Sequence, residues 1–251
     1  MTTVGMIYDF IDSVAPFDSQ MSFDNSGLLI GTRDRKVSRA MVALDASVDV
    51  AARAAAEGCE LLVTHHPVIF TPARSIAGGS PVYRLIAGGV DIICAHTNLD
   101  IAEGGVNTCL AKKLGFEDFE RPEWLELGVA GELPESMSAR ELASLTARRL
   151  GCDGLRVADG GHPIRSVALI GGAGGSEWPA LVGRVDALIT GEAKHNQFIE
   201  AADAGMTLIA AGHFETESVV LEPLCDMLKK NFADVEFLLD KTNPAFICGR
   251  Y

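Results

Sequence analysis

Short apolar runs alternate with helical patterns along almost the whole chain, and this alternation limits the fold more than any other feature. The runs are GLLIG (27–31), AMVAL (40–44), ELLVT (60–64), VDIICA (90–95), SVALI (166–170), DALIT (186–190), TLIAA (207–211) and VEFLL (235–239). Most lack strict polar alternation, the pattern of strands covered on both faces. The helices between them carry start signals. Ser47 precedes an alanine-rich stretch that ends at Gly58, Ser80-Pro81 opens VYRLIAGG, and Ser138-x-x-Glu141 is a capping box. Further helices are expected over 193–204 and 214–230. The β-α-β-α order predicts an α/β fold of two lobes, with mixed or mostly parallel sheets and helices on their faces. The lobes are expected at residues 1–116 and 160–251. The more charged segment 117–159, with one clear helix, reads as a short insertion or cap.

Composition narrows the function. Thirty-four acidic residues against twenty-one basic ones give a net charge of −13, which repels a phosphate backbone and disfavours a nucleic-acid partner. No apolar run approaches the roughly eighteen residues that span a bilayer. The N-terminal stretch lacks a basic leader region, so no membrane association and a cytoplasmic location are expected. Six cysteines (59, 94, 109, 152, 225, 248) show no C-x-x-C pair and are expected as structural residues.

The chemistry gathers at strand ends. Five of the six histidines lie at or just beyond the C-terminal end of an apolar run. ELLVT leads into His65-His66-Pro67, VDIICA into His96 and Asp100, DALIT into Glu192 and His195, and TLIAA into His213 and Glu217. In parallel α/β sheets these ends share one edge, where ligands bind. Four strands delivering histidine and carboxylate to one edge would build a metal site from His65, His66, Asp100, His213 and Glu217. Neighbouring side chains of an extended segment point to opposite sides, so His65 and His66 suit two adjacent ions rather than one. His213 and Glu217, four apart at a helix start, share a face, and Glu217 can bridge two ions through its two oxygens.

Other residues have less constrained roles. His96 is a ligand, a proton carrier or a core histidine bonded to a carbonyl. Glu192 and His195 lack the spacing of a tight ligand pair and suit general acid–base or substrate-contact roles. Asp45 either points to the same edge or caps the following helix. The glycines of 171–175 lack both G-K-[ST] and G-x-G-x-x-G, so a close backbone turn near the site explains them better than a phosphate cradle.

The motifs S-F-D-N-S-G-L-L-I-G (22–31), T-H-H-P-V-I-F (64–70), A-H-T-N-L-D-I-A-E-G-G-V-N (95–107), I-T-G-E-A-K-H (189–195) and A-G-H-F-E-T-E (211–217) resemble, in the same order, those of the GTP cyclohydrolase 1 type 2 homologue (Nif-three-like) family. The resemblance runs from near residue 20 to the C-terminus. It implies a two-lobed α/β protein that assembles as a ring-shaped homohexamer, with a dinuclear metal site in each subunit. The family's ligands fall on His65, His66, Asp100, His213 and Glu217, with Glu217 bridging. Some relatives carry a large extra domain in the middle, for which 117–159 is too short.

A His/carboxylate pair of sites suits Zn, Mn, Fe, Co or Ni. Two ions about 3.5–4 Å apart would acidify a water and clamp a developing oxyanion. The reading is metal-dependent hydrolysis of a small molecule, with hydrolytic opening of the guanine ring of GTP as the specific form. His96, Glu192 or His195 would move the proton. The alternatives are a non-catalytic metal-binding regulator or adaptor, and a metal-dependent phosphoesterase.

Overall fold

A computed structural model describes residues 1–152 and 154–242; Cys248 lies outside the described residues. The strands are β1 (Gly27–Ile30), β2 (Arg39–Ala43), β3 (Leu61–Thr64), β4 (Asp91–Cys94), β5 (Phe119–Glu120), β6 (Val129–Met137), β7 (Arg156–Ala158), β8 (Ile164–Ile170), β9 (Ala187–Thr190), β10 (Thr207–Ala210) and β11 (Glu236–Leu239). The helices are α1 (Val4–Val14), α2 (Val48–Ala56), α3 (Pro81–Gly88), α4 (Thr97–Ile101), α5 (Val106–Leu114), α6 (Ala139–Leu150), α7 (Trp178–Leu181), α8 (His195–Asp203), α9 (His213–Glu217) and α10 (Leu221–Asn231). All eight expected strands are present. The side chains of Ser47, Ser80 and Ser138 cap α2, α3 and α6, and the capping box with Glu141 is complete.

The chain forms two compact units, and their boundaries differ from the expected lobes. The first unit joins Met1–Gly105 to Leu221–Thr242, and the second spans Val106–Val220. Residues 117–159 are no separate cap: they supply β5, β6, α6 and β7 to the second sheet. The expected single helix over 214–230 is broken at Ser218–Val220 by a tight turn, leaving α9 in the second unit and α10 in the first. Two β-branched valines at that point weaken the helix.

In the first unit the sheet order is β1-β4-β3-β2-β11, parallel throughout except for β1 on β4. Met41, Ala43, Leu62 and Ile92 pack under α2 and α3, with Val50, Ala54 and Leu85 from the helices. In the second unit the order is β5-β6-β8-β9-β10-β7, with β8, β9 and β10 parallel. Val167 and Leu169 of β8 face Leu110 and Leu142 of α5 and α6, while Ala168 and Ile170 pack with Leu181 and Ala201 of α7 and α8. Helices on both faces explain why these strands are apolar on both sides.

Register sets where the chemistry emerges. Ala43, Thr64 and Cys94 are paired across β2, β3 and β4, so Asp45, His65, His66 and His96 all leave the same edge. Ile170, Thr190 and Ala210 are paired across β8, β9 and β10, which sends Gly171, Glu192 and His213 to one edge of the second sheet. The four clusters therefore occupy two sheet edges, two on each, and not the single edge expected. Parallel strands of one sheet do gather their ends, but the chain builds two sheets. Among the described residues, no helix is long and apolar enough to cross a membrane.

Candidate metal centre

In the first unit the ladder carries on past the strands. The His66 amide donates to Leu44 O and the Ala95 amide to Thr64 O, which fixes the backbone on both sides of the His65-His66 pair. The pair lies beyond the end of β3, so strand alternation no longer separates the two side chains. Their ring centroids are 5.0 Å apart, with His96 at 5.1 Å from His65 and 5.6 Å from His66. One nitrogen from each of the three lies within 4.8 Å of the other two, a group able to hold a metal ion. Asp100, on the first turn of α4, places Oδ1 3.7 Å from His65 Nε2.

The other nitrogen of each ring is committed. His65 Nδ1 donates to the Ala95 carbonyl at 3.0 Å, which leaves the lone pair on Nε2. His66 Nδ1 meets Asp45 Oδ1 at 2.7 Å, so of the two readings for Asp45 the structure selects the shared edge. His96 Nδ1 meets Asp24 Oδ1 at 2.8 Å. A carbonyl or carboxylate on Nδ1 that fixes the tautomer and aims Nε2 is the usual support behind metal-ligating histidine.

Asp24 lies within the S-F-D-N-S-G motif, which by itself gives it no role. Its side chain is 0 % exposed, and it also accepts from the Asn25 and Thr97 amides and the Ser26 and Thr97 hydroxyls. Burial alone would raise its carboxyl, but the hydrogen bonds from His96 and Thr97 outweigh that and hold it well below the ordinary carboxylate range. The available signal was an acidic residue between Phe23 and Asn25 immediately ahead of the first strand.

In the second unit His213 and Glu217 open and close α9, with Nε2 and Oε2 3.1 Å apart. Bonds of about 2.0–2.2 Å to one ion separate neighbouring donors by about 3.0–3.5 Å, so this pair already has ligand spacing. His213 Nδ1 meets Glu192 Oε1 at 2.9 Å, repeating the pattern of the first unit. His195 is exposed at the first position of α8, and no described contact brings it to His213 or Glu217.

The glycine-rich loop makes room for this pair. Gly172 has φ +64°, and a Cβ there would lie 2.0 Å from Glu217 Oε1 and 3.2 Å from His213 Nε2. A Cβ on Gly191 would meet Thr216 Oγ1 at 2.7 Å and His213 Cα at 2.8 Å. The amides of Gly171, Gly172, Gly174 and Gly175 donate to Asn107 Oδ1, Thr216 Oγ1, Thr190 Oγ1 and Glu192 O. With those donors turned inward, the loop is a spacer beside a carboxylate and not a phosphate cradle. Imidazole and carboxylate donors, oriented by a second layer and cleared by glycine, fit a divalent metal.

The thiols stand apart from this chemistry. Cys59, Cys94, Cys152 and Cys225 are buried, and burial pushes the Cys59 thiol up to about 11. Cys94 donates its S–H to the His65 carbonyl at 3.0 Å and so supports the histidine backbone.

The Duf34/NIF3 (NGG1p interacting factor 3) family profile matches residues 2–244. A Clostridium perfringens protein named GTP cyclohydrolase 1 type 2 homolog is 31% identical over 248 residues, covering 94% of this chain and 95% of that one. A Streptomyces coelicolor protein of the same name is 34% identical over 234 residues, covering 86% and 82%. The crystal structure of a hypothetical protein from Staphylococcus aureus superposes with a TM-score of 0.88 at 25% identity, covering 98% of this chain and 99% of that one.

Proposed function

We propose, from the premise that the chain belongs to the Duf34/NIF3 family, that it is a cytoplasmic, metal-dependent hydrolase of a small molecule, with a nucleotide as the substrate class. Its ligands would be His65, His66 and Asp100 from the first unit and His213 and Glu217 from the second, holding two divalent ions with Glu217 as the bridge. The observation that carries the reading is the repeated support behind the imidazoles. His65, His66, His96 and His213 each direct Nδ1 at a carbonyl or carboxylate, which turns every Nε2 into a lone-pair donor. Bound there, the ions would supply Lewis acidity, lowering the pKa of a water and polarising the bond under attack.

The chain's own residues would do the rest. His96, held by Asp24 through Nδ1, presents Nε2 to take and return a proton. Glu192 orients His213 rather than acting as the base, since its carboxylate is already engaged there. His195, exposed on α8, is assigned contact with substrate. The relatives named GTP cyclohydrolase 1 type 2 homolog support hydrolytic opening of a guanine ring as the reaction to test first. The family description as an interacting factor favours a second reading, a metal-binding adaptor without turnover.

Metal analysis of reconstituted protein should find close to two equivalents per chain, falling sharply in the His65→Ala, His66→Ala double variant. One equivalent, or occupancy indifferent to that double change, sinks the two-ion centre. Screening a nucleotide panel with metal-defined protein then separates the two readings: metal-dependent product formation supports the hydrolase, and none across the panel supports the adaptor. We also propose a closed homohexamer. Light scattering at micromolar concentration should give about six times the monomer mass of 26.6 kDa, and a monomer ends that part of the reading.

A further inference from the structure

In the segment Ser22–Ser26 the usual partition of side chains is inverted. The Asp24 carboxylate is wholly buried, while its neighbour Phe23 is 58 % exposed. Phe70, four residues beyond His66, is 48 % exposed. Burying a phenylalanine stabilises a fold, so two adjacent exposed rings forgo a sizeable contribution.

Neither ring is exposed through a loose backbone. Asp24 is pinned by His96, Thr97, Asn25 and Ser26. The Asn25 side-chain amide donates to the Ile69 carbonyl at 2.6 Å, so the loop before β1 is tied to the loop after β3 two residues from Phe23 and one from Phe70. The two ring centroids are 6.5 Å apart at 44°, neither the parallel nor the perpendicular arrangement in which aromatic pairs satisfy each other. A flat ring held between two aromatic faces needs parallel planes about 7 Å apart, so this tilted pair takes one on its exposed side and not between its rings. Phe70 stands edge-on to His96, with centroids 6.2 Å apart and an interplanar angle of 81°.

We propose that Phe23 and Phe70 form an aromatic platform on which the planar nitrogen heterocycle of a nucleoside stacks beside the His65, His66 and His96 group. This rests on the hydrolase reading and names the part of its substrate that the first unit recognises. The platform determines specificity by stacking, and Phe70 carries it up to His96. A heterocycle stacked through one face keeps its other face open, the side from which a nucleophile adds to a ring carbon between two nitrogens.

The test uses the full, metal-loaded chain, with guanosine and inorganic tripolyphosphate as separate probes in calorimetry. Phe23→Leu and Phe70→Leu keep the apolar bulk and remove the π face, and each should weaken guanosine about tenfold while leaving tripolyphosphate unchanged. Phe70→Tyr should bind guanosine as the unaltered chain does. Metal content and oligomeric mass, measured on every variant, should not move. The platform is overturned if the leucine variants bind guanosine normally. It is also overturned if the unaltered chain binds none of guanosine, adenosine, cytidine or uridine, or if the leucine changes act by altering the assembly. Stacking-dependent binding with no turnover would retire the hydrolase and keep the platform. Turnover indifferent to both leucine changes would do the reverse.

Discussion

Glu217→Gln is expected to cost the protein both metal equivalents, with the affinity of each falling at least about 100-fold. Loss of a mere outer partner costs about 10–100-fold, and a bridging ligand serves both ions at once. An amide carries no charge, and its nitrogen is a poor ligand for a hard cation. The motive is local: the Glu217 side chain is 5 % exposed, lies 3.1 Å from His213 Nε2, and is given its space by Gly172. Asp100→Asn should weaken mainly one ion, because a terminal ligand serves one centre. Calorimetric metal titration of stripped protein reads both variants. One site surviving Glu217→Gln at unaltered affinity makes Glu217 a terminal ligand or a bystander.

The second large effect belongs to Asp24. Asp24→Asn should destabilise the metal-free protein by about 3 kcal/mol at neutral pH, lowering the melting temperature by about 6–12 °C. The carboxylate accepts five hydrogen bonds, two of them at Oδ1 and three at Oδ2. An asparagine would turn an N–H₂ toward one set of donors and leave them unsatisfied. The sign with pH follows from the lowered folded-state carboxyl. Its contribution is complete above the ordinary Asp pKa of about 4 and is lost as pH falls toward the folded value. Denaturant melts at pH 7 and pH 3 should therefore show the gap between Asp24→Asn and the unaltered protein narrowing in acid. An equal gap at both pH values would assign the loss to packing rather than to the charged network.

How much of this was legible in the sequence follows from what each signal depends on. The eight apolar runs declare themselves because helices cover both faces of their sheets, as around Val167 and Ala168. β6 does not: with Glu132, Pro134 and Glu135 it reads as a charged loop, and its ladder with β8 is irregular between Glu132 and Met137. α1 carries a helical period in Val4, Ile7 and Ile11, behind the cap of Thr3, which a search for a secretory leader passes over. The candidate ligands were legible because each follows a strand end, a local property. Their supports were not, since Asp24 meets His96 across 72 positions and Asp45 meets His66 across 21. The assignment of clusters to two sheets was also out of reach, because strand order is a long-range choice that apolar runs leave open.

The return of the chain to the first unit has a consequence for biogenesis. β11 pairs in parallel with β2, yet it is made after the whole of Val106–Val220. A ribosome therefore releases the first unit with β2 as an open edge and keeps it so until the last of α10 and β11 emerges. At about 5–20 residues per second, the stretch from 105 to 239 leaves that edge uncovered for roughly 7–27 seconds. The second unit, whose strands are contiguous in the chain, can fold during that interval. Nascent chains stalled near residue 220 should accordingly be captured by chaperones that bind exposed strand edges, and chains released from the ribosome should escape them.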